Sequence, residues 1–160
     1  MIVVADTSPL NYLILINQAH VLPVLYHRVA APPAVVAELR HLGSPESVQR
    51  WATTPPTWLE VVAPSTLGLR LSLGAGESEA IALAMELTAD LLLIDERKAT
   101  IAASQLGLPS IGTLGVLELA ARRQLLDLSE SIAALEQTTF RSPKTLIDEL
   151  LRRDALRRSR

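Results

Sequence analysis

Short apolar runs, each closed by an acid or a turn former and followed by helical periodicity, constrain this chain most. Ile2–Ala5 is such a run and stops at Asp6; Leu91–Ile94 is another and stops at Asp95. A strand with one wet face alternates apolar and polar residues, whereas an unbroken run suits a strand buried on both faces. Arg28–Ala31, Trp58–Val62 and a minimal Ser110–Ile111 read as three more strands. Helical segments fall between and after them. Pro9 to about Asn17 follows Ser8 as N-cap, with Pro9 at the first helical position. Val21–Tyr26, Pro33–Arg40 and Pro45–Thr53 come next, the last with Ser44 as cap. Pro64 to Leu73 reads as a loop or irregular crossover. Glu77 to about Ala89, a helix following Asp95 and running through Leu106 (with Gly107 at its C-terminal end), Thr113–Gln124, Ser129–Glu136 and Lys144–Arg153 complete the set. This alternation predicts an α/β fold: a three-layer sandwich with a parallel, roughly five-stranded sheet flanked by helices.

The chain has 160 residues, 49% of them hydrophobic and 20% charged, enough apolar material for one core and too much for a disordered chain. We read residues 1–160 as one domain, with 126–160 a C-terminal helical extension. Aromatics are only 3%, so Leu, Ala, Ile and Val must build the interior. The absence of cysteine excludes disulfides, thiolate zinc sites and cysteine nucleophiles. Asp6 arrives too early for a signal peptide, and no apolar stretch approaches the ~18–20 residues of a membrane span, so a cytoplasmic protein with no membrane partner is expected.

The net charge of −2 hides a segregation. Residues 1–140 carry 8 basic and 14 acidic side chains; residues 141–160 carry 7 basic and 3 acidic, including Arg152, Arg153, Arg157, Arg158 and Arg160. A strongly basic nucleic-acid wrapper is excluded. The basic tail reads either as a solvated, frayed helix end or as a phosphate- or partner-contacting segment.

In open parallel sheets, ligands bind beyond the carboxyl ends of the strands. Asp6 and Asp95 both fall there. Glu77 lies in the first turn of a helix that starts on the same edge, with Glu79 close behind. Glu38 interrupts an otherwise apolar helical stretch. Clustered carboxylates repel one another and raise each other's pKa values unless a cation neutralises them. Oxygen-only donors without cysteine or histidine suit a hard ion such as Mg²⁺ or Mn²⁺, the apparatus of phosphodiester hydrolysis. Each acid also has a plain structural role open to it: a turn residue at Asp6, a cap at Asp95, a dipole partner at Glu77, solvent exposure at Glu38. Glu79 reads as structural or auxiliary, and Glu96 as exposed. The histidines His20, His27 and His41 lack ligand spacing and read as surface or turn residues. Gly74-Ala75-Gly76 is half a dinucleotide fingerprint without its strand, and Ser8 sits in no nucleophile elbow.

Four segments resemble PIN domains, a fold of metal-dependent ribonucleases. They are Ile2-Val3-Val4-Ala5-Asp6-Thr7-Ser8-Pro9-Leu10, Pro33–Leu39, Gly76–Ala84 and Leu91–Ala99. Ile111–Leu117 is similar to a bacterial and archaeal PIN subfamily close to VapC-type toxins. The resemblance covers residues 1 to about 125. It implies an acidic quartet of Asp6, Glu38, Glu77 and Asp95 that is both catalytic and metal-binding. Asp6 and Asp95 would be the direct ligands of Mg²⁺ or Mn²⁺, and Glu38 and Glu77 would complete the shell or position water. Glu77 stands where relatives often carry Asp, and Glu79 is its auxiliary neighbour. Thr7 and Ser8 match positions whose hydroxyls brace the first Asp. The implied activity is endonucleolytic cleavage of single-stranded RNA, with Arg40, Arg97 and Lys98 as candidate RNA contacts on the rim. Homodimers and a small antitoxin partner, as in type II toxin–antitoxin pairs, are implied by the same likeness. The alternative is a non-catalytic PIN module that binds RNA or protein. A receiver-like phosphoacceptor fits poorly, because the first strand offers one acid and Ser110–Ile111 is followed by no lysine.

Overall fold

The computed structural model describes residues 1–66 and 72–160. The described residues divide into two compact units, Met1–Thr113 and Leu114–Arg160. In the first, five parallel strands form one sheet: β1 (Ile2–Ala5), β2 (Arg28–Ala31), β3 (Leu59–Val61), β4 (Leu91–Leu93) and β5 (Ser110–Ile111), in the order β3-β2-β1-β4-β5. The central strand pairs on both edges, Val3 with Val29 and Val4 with Leu92. Val3, Val4 and Ala5 are fully buried, as an unbroken apolar run requires. The strand order reverses between β1 and β4, the switch point at which α/β sheets place their ligands.

The helices of this unit are α1 (Thr7–Leu15), α2 (Leu22–Leu25), α3 (Pro33–Arg40), α4 (Glu46–Thr53), α5 (Ala75–Glu86) and α6 (Arg97–Gln105). Leu10, Leu13, Leu39, Ile81 and Leu83 bury their side chains completely, each stabilising the fold by roughly 1.5–3 kcal/mol. The second unit is helical: α7 (Thr113–Arg122, beginning on the last residue of the first unit), α8 (Leu128–Glu136) and α9 (Lys144–Arg158). Asp127 caps α8, its carboxylate accepting from the Glu130 N–H at 3.0 Å.

Three local readings change. α1 starts at Thr7 rather than Pro9, which puts Asp6 and not Ser8 at the N-cap position. Pro9 is still in the first turn, where its missing N–H costs nothing. Pro45 rather than Ser44 precedes α4, and the Ser44 hydroxyl donates to the Glu38 carbonyl at 2.9 Å. α9 continues to Arg158 rather than stopping at Arg153, so the arginine tail is helix and not a frayed end. Gly107 does follow α6 with φ +73°, a conformation glycine adopts without strain. The stretch read as an irregular crossover, Pro64–Leu73, holds 67–71, which lie outside the described residues.

Candidate active site at the sheet switch point

Asp6 leaves β1 and Asp95 follows β4, and because these are adjacent parallel strands both acids fall on the same edge of the sheet. The Asp6 N–H donates to the Leu93 carbonyl at 2.9 Å, which locks the residue to the neighbouring strand. Its side chain does not cap α1. The residue is 2% exposed, and Oδ1 is buried without a hydrogen-bond partner among the described residues. Burial pushes its carboxyl up to about 7; the Thr7 backbone N–H is the next largest influence and pulls it down, while the charges of Glu77, Glu38 and Asp95 each add a smaller upward push. An orphaned, desolvated carboxylate among like charges is costly to the fold, which makes it a candidate for chemistry.

Asp95 is held at both oxygens by Thr113, whose backbone N–H and hydroxyl each donate at 2.7 Å. Burial raises the Asp95 carboxyl, and the two Thr113 bonds oppose it. Thr113 is itself fully buried. A Cβ on Gly112 would lie 2.6 Å from Asp95 Oδ1, so the close approach of β5 to this carboxylate needs a residue without a side chain.

Glu38 projects from α3. Its Oε2 accepts the Thr7 hydroxyl and its Oε1 accepts the Gly76 N–H at 3.0 Å. The Thr7 hydroxyl therefore braces Glu38, not Asp6. A Cβ on Gly76 would come within 2.6–2.8 Å of the Glu38 carboxylate, so glycine there admits the acid to the first turn of α5. Glu77 turns back on its own helix start, accepting the Gly74 N–H at 3.1 Å, yet its charge still reaches Asp6. Glu79 points elsewhere and accepts the Ala34 N–H at 3.1 Å. It supplies the cap that Pro32, at the N-cap of α3, cannot.

Of the candidate rim cations, Arg97 and Lys98 are exposed in the first turn of α6, immediately after Asp95 and Glu96. Arg40 instead ties α3 to α4, with Nε donating to the Ala52 carbonyl at 2.6 Å. Glu96 is exposed as expected and caps α6, accepting the Ala99 N–H at 2.9 Å. The three histidines are exposed. Sequence reasoning placed Thr113 only as a helix start and gave Gly76 and Gly112 no role. The available signal was their position, each beside a strand end or helix start of the acidic edge.

Every donor assembled here is an oxygen, the chemistry of a hard divalent cation. Each carboxylate oxygen that already accepts one bond keeps a second lone pair. Asp6 Oδ1 keeps both. Among the described residues, no three Asp, Glu or His side chains are gathered as a formed metal cage.

A parallel sheet that carries mutually repelling, partly desolvated acids at its switch point defines an acid-centred α/β domain. The chain belongs to the PIN-domain family: the family model described as "DUF3368: PIN domain" matches residues 2–155. The fold is similar to that of a PilT N-terminus domain protein from the hyperthermophilic archaeon Sulfolobus solfataricus P2. That likeness has a TM-score of 0.50 and 20% identity, and covers 89% of this chain and 100% of that one. No curated protein matches the chain. PIN domains are a nuclease-type fold. Among the described residues no helix is long and apolar enough to cross a membrane.

Proposed function

We propose that the protein is a Mg²⁺- or Mn²⁺-dependent endoribonuclease acting on single-stranded RNA. The observation that carries this reading is Asp6: a buried carboxylate that feels the charge of three other acids, with one oxygen left without a hydrogen-bond partner among the described residues. Asp6 and Asp95 would hold the ion, with Glu38 and Glu77 completing its surroundings. A bound divalent ion supplies an activated water and stabilises charge on the phosphate oxygens. The chain's own residues do the rest. Thr113 fixes both oxygens of Asp95, and Thr7 with Gly76 fixes those of Glu38, so the acids meet the ion pre-aimed. Arg97 and Lys98 offer the positive charge that brings a polyanion to an acidic edge. A small protein inhibitor, self-association and a cytoplasmic site of action belong to the same proposal.

The test is cleavage of varied single-stranded RNAs by protein freed of co-purifying partners. Cutting with Mn²⁺ or Mg²⁺ that EDTA and Asp6→Asn both abolish is expected. A wild-type protein inert with both metals would falsify the reading. A non-catalytic binding module is favoured instead by the engagement of Glu77 with the Gly74 N–H and by the lack, among the described residues, of three acids set as a formed metal cage. RNA binding without cleavage is the result that module predicts.

A further inference from the structure

The C-terminal unit holds a second constructed feature. Two clefts, of about 510 and 490 Å³, open beside the end of α9, and Asp154, Arg157 and Arg160 line both. Arg158 joins them in the first cleft, Arg122 and Arg153 in the second. Asp154 is 8% exposed and anchors the group: Arg157 donates to it, and Arg158 Nη1 lies 3.8 Å away. Arg158 also donates to Asp127 at 3.1 Å, and Arg153 grips Glu118 through Nε and Nη2 at 3.1 and 3.2 Å.

These acids hold the guanidinium groups in place without exhausting them. An arginine has five N–H donors, and each pair uses one or two. Arg122 and Arg160 make no ion pair among the described residues, so five arginine and three acidic side chains line the two adjoining clefts, which have three lining residues in common. Guanidinium forks suit phosphate oxygens, whether of a terminal phosphate, which carries about −1.5 to −2, or of successive backbone diesters, which carry about −1 each.

We propose that these joined clefts form a phosphate-binding site, for the backbone of a polynucleotide or for a small phosphorylated ligand. The site uses none of the acids at the sheet edge, so it stands or falls independently of the nuclease reading.

The test uses the full chain in EDTA, which silences any cleavage. Binding of inorganic pyrophosphate is measured by calorimetry, and binding of a single-stranded RNA oligomer without terminal phosphate by fluorescence anisotropy across a salt series. The double variant Arg122→Ala/Arg160→Ala removes only unpaired cations. It should weaken binding at least about tenfold and flatten the RNA salt slope by about 0.7 per arginine. Glu118→Gln, which releases Arg153, should tighten binding, and it keeps the test decisive if the double variant fails to fold. Loss of pyrophosphate and RNA binding together identifies a backbone site; loss of pyrophosphate binding alone identifies a small phosphorylated ligand. Wild-type protein that binds neither probe, or binds a polyglutamate peptide as well as pyrophosphate, overturns the proposal. So do variants that match wild type.

Discussion

Asp6 and Asp154 are almost equally withdrawn from water, 2% and 8% exposed, yet they are held in opposite ways. Asp154 is met by Arg157 and Arg158, i+3 and i+4 along its own helix. Asp6 feels the charges of Glu77, Glu38 and Asp95, and among the described residues one of its oxygens has no hydrogen-bond partner. A neutralised buried carboxylate steadies the helix it sits on; one left among its own kind raises the energy of the empty fold and is kept only where something positive completes it. Burial alone does not separate the two. The sign of the surroundings does.

Experiments that break this contrast run from large effects to small. Asp6→Asn should reduce Mn²⁺-dependent RNA cleavage about a thousandfold or more, read as initial rate, while the folded state survives. Next is pH. The Asp6 carboxyl is raised from 3.8 to about 7, so between those values the folded chain keeps a proton that the unfolded chain has released. Its stabilising contribution is present below about pH 4 and is lost as pH rises to 7, by up to about 4 kcal/mol. Urea denaturation of metal-free protein should show this slope, and Asp6→Asn should remove it. An equal slope in the variant would mean that another group carries the effect.

Asp154→Asn should act the other way. It strips Arg157, a side chain one-third exposed, of its partner, and should cost about 1–2 kcal/mol at neutral pH by the same denaturation assay. Gly76→Ala should separate activity from stability, because the atoms its Cβ meets are the far end of the Glu38 side chain. We expect cleavage to fall about tenfold as Glu38 is displaced, with a change of less than about 1 kcal/mol in unfolding free energy. The smallest effect belongs to the Arg28–Glu60 bridge, where both side chains are about two-fifths exposed. Arg28→Ala should leave both the denaturation midpoint and cleavage essentially where they are, because a solvated pair contributes little.

The centre of the sheet was readable because β1 and β4 carry the plainest signature, an apolar run closed by an acid. All five strands appear where the sequence places them, to within a residue or two at each end. Asp6, Asp95 and Glu77 were readable because strand ends and helix starts are local features, and Glu38 because it interrupts an apolar helical stretch. Their bracing was not. That Glu79 caps α3, 45 residues away, follows from tertiary packing and from the accident that Pro32 has no acceptor to offer. Gly76 and Gly112 matter through distances of less than 3 Å to carboxylates that only the assembled fold brings close. The arginine tail looked free because its partners Glu118 and Asp127 lie 35 and 31 residues back along the chain.

β1 is hydrogen-bonded on both sides, to β2 and to β4, and Asp6 continues that ladder through its own N–H. Its amides should therefore be among the slowest in the molecule to exchange with deuterium, opening only when the whole first unit opens. The pivotal acid thus rides on the part of the fold that breathes least. Any motion that admits a long polymer must come from the helices and loops around it, and the exchange pattern of α3 and α5 is where such motion will be found.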